Sequence, residues 1–386
     1  MSYVCKKFES DFARLCGAPH AFSFWKGRIA LYAILKAMRI EPGDEIILPG
    51  YTCVVDVNPI RYLGAKPVYV DIEPETFNLD VNLLPEKITS RTKVIIAQHT
   101  YGYSCDLDRI IEIANRKGIA VIEDACLALG SKYKGRLVGT FGKAAYFSFQ
   151  WNKLYNTGIG GMALTNDLAL AQQIESLCQE EIHKPTFKEL TILTAQLVVH
   201  RAFVFPTTTA VAQSIFRVLT RAGLVVGSSK YGEYAAAPAE ATFFKAMGWV
   251  QALSGLVQLG KISKNIAHRK EIVALYDELL EKKGWPPRRY DSAKMDPVMV
   301  RYPLRIDDKK RALLEAPRAG VEIGDWFNSV LHQVEIPLSD YGYELGMCPQ
   351  GEKAARTIVN LPVHPRVNEK TARKTVEFIS RFRKVE

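Results

Sequence analysis

Over the first 180 residues, short apolar runs alternate with amphipathic helical stretches, and that alternation leaves the chain few folds to choose from. The runs are Ile46–Leu48, Pro67–Ile72, Val94–Ala97 and Ala120–Ile122, each bounded by turn residues. Ile29, Ala30, Ala33, Ile34, Ala37 and Met38 recur at helical spacing until Pro42-Gly43-Asp44 stops them. Leu107, Ile110, Ile111 and Ala114 mark a second amphipathic helix, closed by Lys117-Gly118. Strands separated by helices of this length pair in parallel through right-handed crossovers. In such sheets ligands bind beyond the carboxyl ends of the strands, so the residues just after each apolar run are where chemistry is expected.

At roughly 100–200 residues per domain, 386 residues imply a large domain and a smaller companion. The division is expected at 1–260 and 261–386. Val250–Leu259 and Ile262–Leu280 read as a long helix or helix pair, and Gly284-Trp285-Pro286-Pro287 as a turn. A strand over Val298–Ile306, a short helix near Lys309–Ala316 and a terminal helix over Asn368–Phe382 complete a small α+β unit. With 48% hydrophobic and 24% charged residues, long disordered tracts are excluded. A net charge of +10 suits an anionic ligand. The basic clusters Lys309-Lys310-Arg311 and Arg288-Arg289 are short and far apart, with no zinc-finger spacing or RNA-binding aromatic signature, so no nucleic-acid partner is expected. The seven cysteines (5, 16, 53, 105, 126, 178 and 348) form no C-x-x-C pair and read as reduced thiols, and the scattered histidines give no metal-ligand spacing. Met1 to Lys7 has no apolar core of a secretory signal, and a cytoplasmic location is the expectation.

Four local features fall where an anionic cofactor would need them. Gly27-Arg28 opens the first strong helix, whose N-terminal N–H groups attract phosphate. Asp124 follows the run Ala120–Ile122, Ser148 is the hydroxyl of the aromatic strand Tyr146–Phe149, and Lys153 precedes the glycine-rich stretch Thr157-Gly158-Ile159-Gly160-Gly161. Each has a plainer reading: a glycine cap, a surface turn, a serine bonded to nearby backbone, a solvated lysine. Their order and setting are more specific. Pro42–Pro49, Leu63–Ile72, Val121–Ala125, Tyr133–Gly142, Phe147–Phe149, Lys153 and Gly158–Gly161 together resemble the DegT/DnrJ/EryC1/StrS family of pyridoxal-phosphate sugar aminotransferases. Gly255–Leu259 and Leu361–Pro365 continue the resemblance, which covers most of the chain except about residues 182–245.

The resemblance implies a fold type I, α/β transferase with a mostly parallel seven-stranded sheet and a smaller C-terminal α+β domain. It implies that Lys153 forms a Schiff base with the cofactor aldehyde and then acts as general base. Asp124 would pair with the pyridinium nitrogen, Gly27, Arg28 and Ser148 would hold the phosphate, and Cys53, Leu127 and Gln150 would adjoin the cofactor. Lysine stands where sugar-dehydrating members of the family carry histidine, which favours transamination. The implied reaction moves an amino group from a donor such as glutamate to a keto sugar, expected to be nucleotide-linked, in a homodimer. There are departures. Arg28 replaces a small hydroxyl residue, Cys53 an aromatic one (so that the thiol or Tyr51 covers the ring), Leu127 a polar residue near the phenolic oxygen, and Ile159 an acidic residue. Near Phe243-Phe244-Lys245 the usual tyrosine–asparagine pattern is missing.

Ile192–Phe205 is apolar but interrupted by His200 and Arg201, short of the roughly 18–20 residues a spanning helix needs. With Val211–Leu219 it reads as a hydrophobic helical insertion over about 186–225. A cap or dimer contact is expected there first, and second a membrane-surface contact through 190–220 that admits a lipid-linked substrate. Two rival functions stand beside transamination: another pyridoxal-phosphate enzyme on this scaffold, acting on a more apolar substrate, and a cofactor-binding regulator without turnover.

Overall fold

The computed structural model describes residues 2–203, 225–227, 239–333 and 336–383. Seven strands build one sheet: β1 (His20–Phe24), β2 (Glu45–Pro49), β3 (Lys66–Val70), β4 (Thr92–Gln98), β5 (Ala120–Asp124), β6 (Ala144–Ser148) and β7 (Gly161–Thr165). Their spatial order is β1-β7-β6-β5-β4-β2-β3. Only β7 runs against the rest: it is antiparallel to both β1 and β6, while β6, β5, β4, β2 and β3 pair in parallel. The mostly parallel α/β architecture is therefore as expected.

Alternation along each strand divides the apolar side chains between two cores, as a sheet covered on both faces requires. Ile47, Ile95, Ala97, Val121, Ala145 and Phe147 point into one cluster. Ile46, Leu48, Val94, Ile96, Ile122, Ala144 and Tyr146 point into the other. The first face is covered by α1 (Tyr3–Cys16), whose Phe8 and Phe12 pack edge-on against Phe149 and Phe147. On the second face lie α2 (Gly27–Ala37) and α3 (Val54–Tyr62). α2 is apolar on nearly every side, and nine of its residues are buried between sheet and neighbours.

Further along the chain, α4 (Trp249–Leu259) and α5 (Ile262–Lys282) are separate helices with Gly260-Lys261 between them. The expected C-terminal strand is shorter than its apolar run: β8 (Arg301–Arg305) pairs antiparallel with β9 (Ile358–Pro362), and Val298 to Val300 are buried without being part of it. α6 (Glu369–Ile379) packs on α5 and starts at the Asn368 cap. A two-residue parallel pairing, Leu331 on Thr52 and His332 on Cys53, stitches this C-terminal part to the entrance of α3. The apolar insertion begins as the helix Phe187–Phe203, which turns Leu193 and Leu197 into the core and leaves Val198 and Val199 exposed. The second half of the expected hairpin, 204–224, lies outside the described residues. Among the described residues no helix is long and apolar enough to cross a membrane.

Candidate active site

The carboxyl ends of β4, β5 and β6 deliver Gln98, Asp124 and Ser148 to one edge of the sheet. The antiparallel β7 starts at that same edge, and the turn Trp25-Lys26 after β1 leads there into α2. A cleft of ≈ 640 Å³, counting its open mouth, lies over this edge. Such a volume suits a small molecule. Gly27, Arg28, Cys53, Asp124, Leu127, Ser148, Gln150 and Lys153 all line it, so these eight come to one place.

Backbone crowding explains the glycine at the start of α2. A Cβ on Gly27 would stand 2.9 Å from Ser148 Cβ and 3.2 Å from the Phe147 carbonyl oxygen, and one on Gly161 would stand 2.5 Å from Gly27 N. The first turn of α2 is thereby pressed against β6 and β7. Its N-cap position is Lys26, an ammonium that donates but cannot accept, so no cap side chain competes for the first N–H groups. Gly27 and Arg28 of that first turn line the cleft, and a helix N-terminus there favours an anion.

Lys153 rides on the loop between β6 and β7. The Thr157 and Phe149 amides close that loop by donating to the Phe149 and Gly160 carbonyls at 2.9 and 2.8 Å, and Gly158 turns it at φ 85°. The Lys153 ammonium lies 4.5 Å from the centre of the Trp326 ring, over which the Arg301 guanidinium also lies, at 5.0 Å. Asp124 is buried at the end of β5, where its Oδ1 accepts from the Cys126 amide at 2.9 Å. The neighbouring Glu123 faces the opposite side of the sheet and anchors the strand end. It accepts from the Gly139, Phe141 and Gly142 amides at 2.6, 2.6 and 2.8 Å and from His99 Nε2 at 3.0 Å. Because the Cys105 amide donates to His99 Nδ1, the ring proton sits on Nε2. Burial pushes the Glu123 carboxyl up, but the His99 bond and these amides outweigh it and hold the group below the usual range.

Asp56, Gln98, Trp326 and Phe327 are among the cleft residues that escaped the sequence reading. Asp56, on the first turn of α3, accepts from the Tyr146 hydroxyl at 3.1 Å, and burial followed by repulsion from Asp124 pushes its carboxyl well up. A lone charge inside Val54-Val55-Asp56-Val57 was the available signal. Gln98 directly follows the run Val94–Ala97, where the carboxyl-end rule already pointed; its amide donates to the Tyr51 carbonyl at 3.0 Å. Trp326 and Phe327 carry no local signal, because the Leu331–His332 pairing brings them in from far along the chain. Tyr51 is fully buried and does not line the cleft; its hydroxyl lies 2.8 Å from that of Tyr101. Cys53 lines the cleft, with its thiol pushed up to about 12 by burial. Ile159 also lines it. His332, beside Cys53 in the pairing, is pushed down to about 3 by burial and is neutral.

The model of the DegT/DnrJ/EryC1/StrS aminotransferase family matches residues 3–195 and 207–380. The chain is 36% identical over 278 residues to GDP-perosamine synthase of Caulobacter vibrioides, a match that covers 72% of this chain and 62% of that protein. The chain thus spans less than two thirds of that relative's length. It is 29% identical over 384 residues to the pleiotropic regulatory protein of Geobacillus stearothermophilus, covering 98% and 88%. Among solved structures, S. venezuelae DesV in complex with a ketimine intermediate superposes with a TM-score of 0.76 at 23% identity, over 100% of this chain and 91% of that one. At that identity the likeness concerns the fold.

Proposed function

Since the chain belongs to the DegT/DnrJ/EryC1/StrS aminotransferase family, we propose that it is a pyridoxal-phosphate aminotransferase that moves an amino group from glutamate, or a similar donor, to a nucleotide-linked keto sugar. One observation carries this reading: a primary amine, a buried carboxylate and an uncapped helix N-terminus, distant in sequence, line one cleft of suitable size. That donor set fits a ring bearing an aldehyde, a basic nitrogen and a phosphate. GDP-perosamine synthase, by its name, supports a nucleotide-sugar acceptor.

When bound, the cofactor supplies an electron sink for the carbon that loses or gains nitrogen. The chain's own groups do the rest. Lys153 Nζ would hold the aldehyde carbon and would serve as the base that moves a proton at the amino-bearing carbon. Asp124 orients the ring nitrogen and keeps its proton in place. The first N–H groups of α2, Arg28 and Ser148 Oγ bind the phosphate, and guanidinium matches phosphate bidentately. Cys53, Leu127 and Gln150 border the ring, while Trp326 and Phe327 keep water from the amine. Residues 1–260 form the cofactor-binding unit in this reading, and 261–386 the smaller one that brings those two aromatic rings. The protein acts as a cytoplasmic homodimer; the exposed apolar stripe Trp249, Leu253 and Val257 on α4 supports a covered surface there.

Borohydride reduction of the loaded protein should fix the cofactor to Lys153, and Lys153→Ala should fix none. Covalent cofactor in that variant would show that another lysine does this work. Glutamate should bleach the visible band, and amino sugars run in reverse should do the same. The regulatory relative favours one rival reading, a cofactor binder without turnover. A band indifferent to every amino donor would establish that rival.

A further inference from the structure

The cleft holds more acid than one ring nitrogen requires. Asp56 on α3 and Asp124 on β5 both line it, both are at least nine-tenths buried, and both lie on the same face of the sheet. Tyr146 connects them: it is the register partner of Asp124 across β5 and β6, and its hydroxyl donates to Asp56 Oδ1. Two carboxyl groups so placed cannot both ionise cheaply.

We propose that Asp56 and Asp124 hold one proton between them in the cofactor-free protein, that it resides on Asp56, and that Asp56 gives it up when the cofactor's ring nitrogen arrives. Asp56 thereby acts as a positioning residue, through Asp124. The inference rests on the proposed cofactor site. Unequal surroundings assign the proton. Asp124 accepts from a backbone amide, whereas Asp56 accepts from a phenol.

The other groups around Asp56 are Cys53 before α3, Cys126 after β5, Tyr146 on β6, Lys153 on the loop and Arg28 on α2. Burial pushes both thiols and the Tyr146 phenol up, so none of them carries negative charge at neutral pH. Lys153 and Arg28 pull the Asp56 carboxyl down, yet burial and then Asp124 prevail and leave it at about 8. A pyridinium beside the pair adds a positive charge that lets both carboxyls ionise. The proton leaves the Asp56 oxygen for the ring nitrogen if that arrives neutral, or for solvent if it arrives protonated. Either route gives the same difference in proton count between wild type and a variant lacking the acid.

Pyridoxamine phosphate is the discriminating ligand, because without an aldehyde it makes no covalent bond to Lys153. Its binding to the full-length, cofactor-free protein would be followed by calorimetry at pH 7 in two buffers of different ionisation heat. Asp56→Asn should take up as much as one more proton per ligand bound than wild type, and Asp56→Thr, a second neutral variant, should do the same. Wild-type affinity relative to either variant should rise up to tenfold per pH unit until Asp56 titrates. Equal proton counts in all three proteins would overturn the shared proton and leave the cofactor site standing. Failure of the wild type itself to bind pyridoxamine phosphate would overturn both.

Discussion

Replacing Glu123 by Gln keeps the side chain's length and removes its charge, and the geometry around it sets the cost. One carboxylate oxygen accepts from the Phe141 and Gly142 amides, the other from Gly139 and His99 Nε2. The amide oxygen of glutamine serves only one of these pairs, whichever way it is turned. Its nitrogen then faces two donors, and two charge-assisted bonds worth about 1.5–3 kcal/mol each are lost. Two such bonds sum to about 3–6 kcal/mol. Urea unfolding of the cofactor-free protein, followed by tryptophan fluorescence, should show the first midpoint lowered by at least about 1 M, for slopes up to about 3 kcal/mol/M. The pH dependence has a definite sign. Glu123 is held below the usual carboxylate range in the fold, so its contribution is present above the unfolded value near 4.3 and is lost as pH falls through the folded one. The difference between wild type and Glu123→Gln should therefore be full above about pH 5 and shrink below about pH 4. A loss under about 1 kcal/mol at pH 7, or a difference unchanged between pH 7 and pH 3, would refute the reasoning.

Two further outcomes test the walls of the cleft. Trp326→Ala removes the ring over which Lys153 and Arg301 lie, a contact worth about 0.5–2 kcal/mol. Cofactor retained through gel filtration should fall several-fold, with partial recovery in Trp326→Phe; full retention in the alanine variant would mean the ring is only packing. Gly27→Ala inserts a methyl 2.9 Å from Ser148 Cβ. Overpacking of about 1–3 kcal/mol there offsets the roughly 1 kcal/mol that a helix gains from alanine. The net loss of stability should thus stay within about 2 kcal/mol while cofactor affinity, measured by equilibrium dialysis, drops at least tenfold. An unchanged affinity would place the phosphate elsewhere.

How much of this was legible in the sequence depends on the range over which each signal acts. Apolar runs such as Val94–Ala97 report burial on both faces, a property of the strand itself, and β4 formed there with two residues added before the run and one after. The run over Val298–Ile306 reports burial equally well, yet only Arg301–Arg305 finds a strand partner in Ile358–Pro362, and no local pattern encodes where that partner ends. Asp124, Ser148 and Gly27 were findable because each sits at a strand or helix end in an apolar setting, and Lys153 because it precedes a glycine-rich stretch. Trp326 was not, because what brings it to Lys153 is the pairing of His332 with Cys53 across most of the chain. Asp56 falls between these cases. Its helix was hidden, since Pro59 lies inside it and three valines favour a strand reading, so a charge in that stretch had no face to be assigned to. Only when α3 packs on the second face of the sheet does the carboxyl come beside Asp124. The proposed cofactor site's main residues are thus written in local patterns, whereas the proposed sharing of a proton depends on which helix lies over which strand. A change at 56, though it touches no motif, should therefore alter ligand-linked protonation more than it alters the fold.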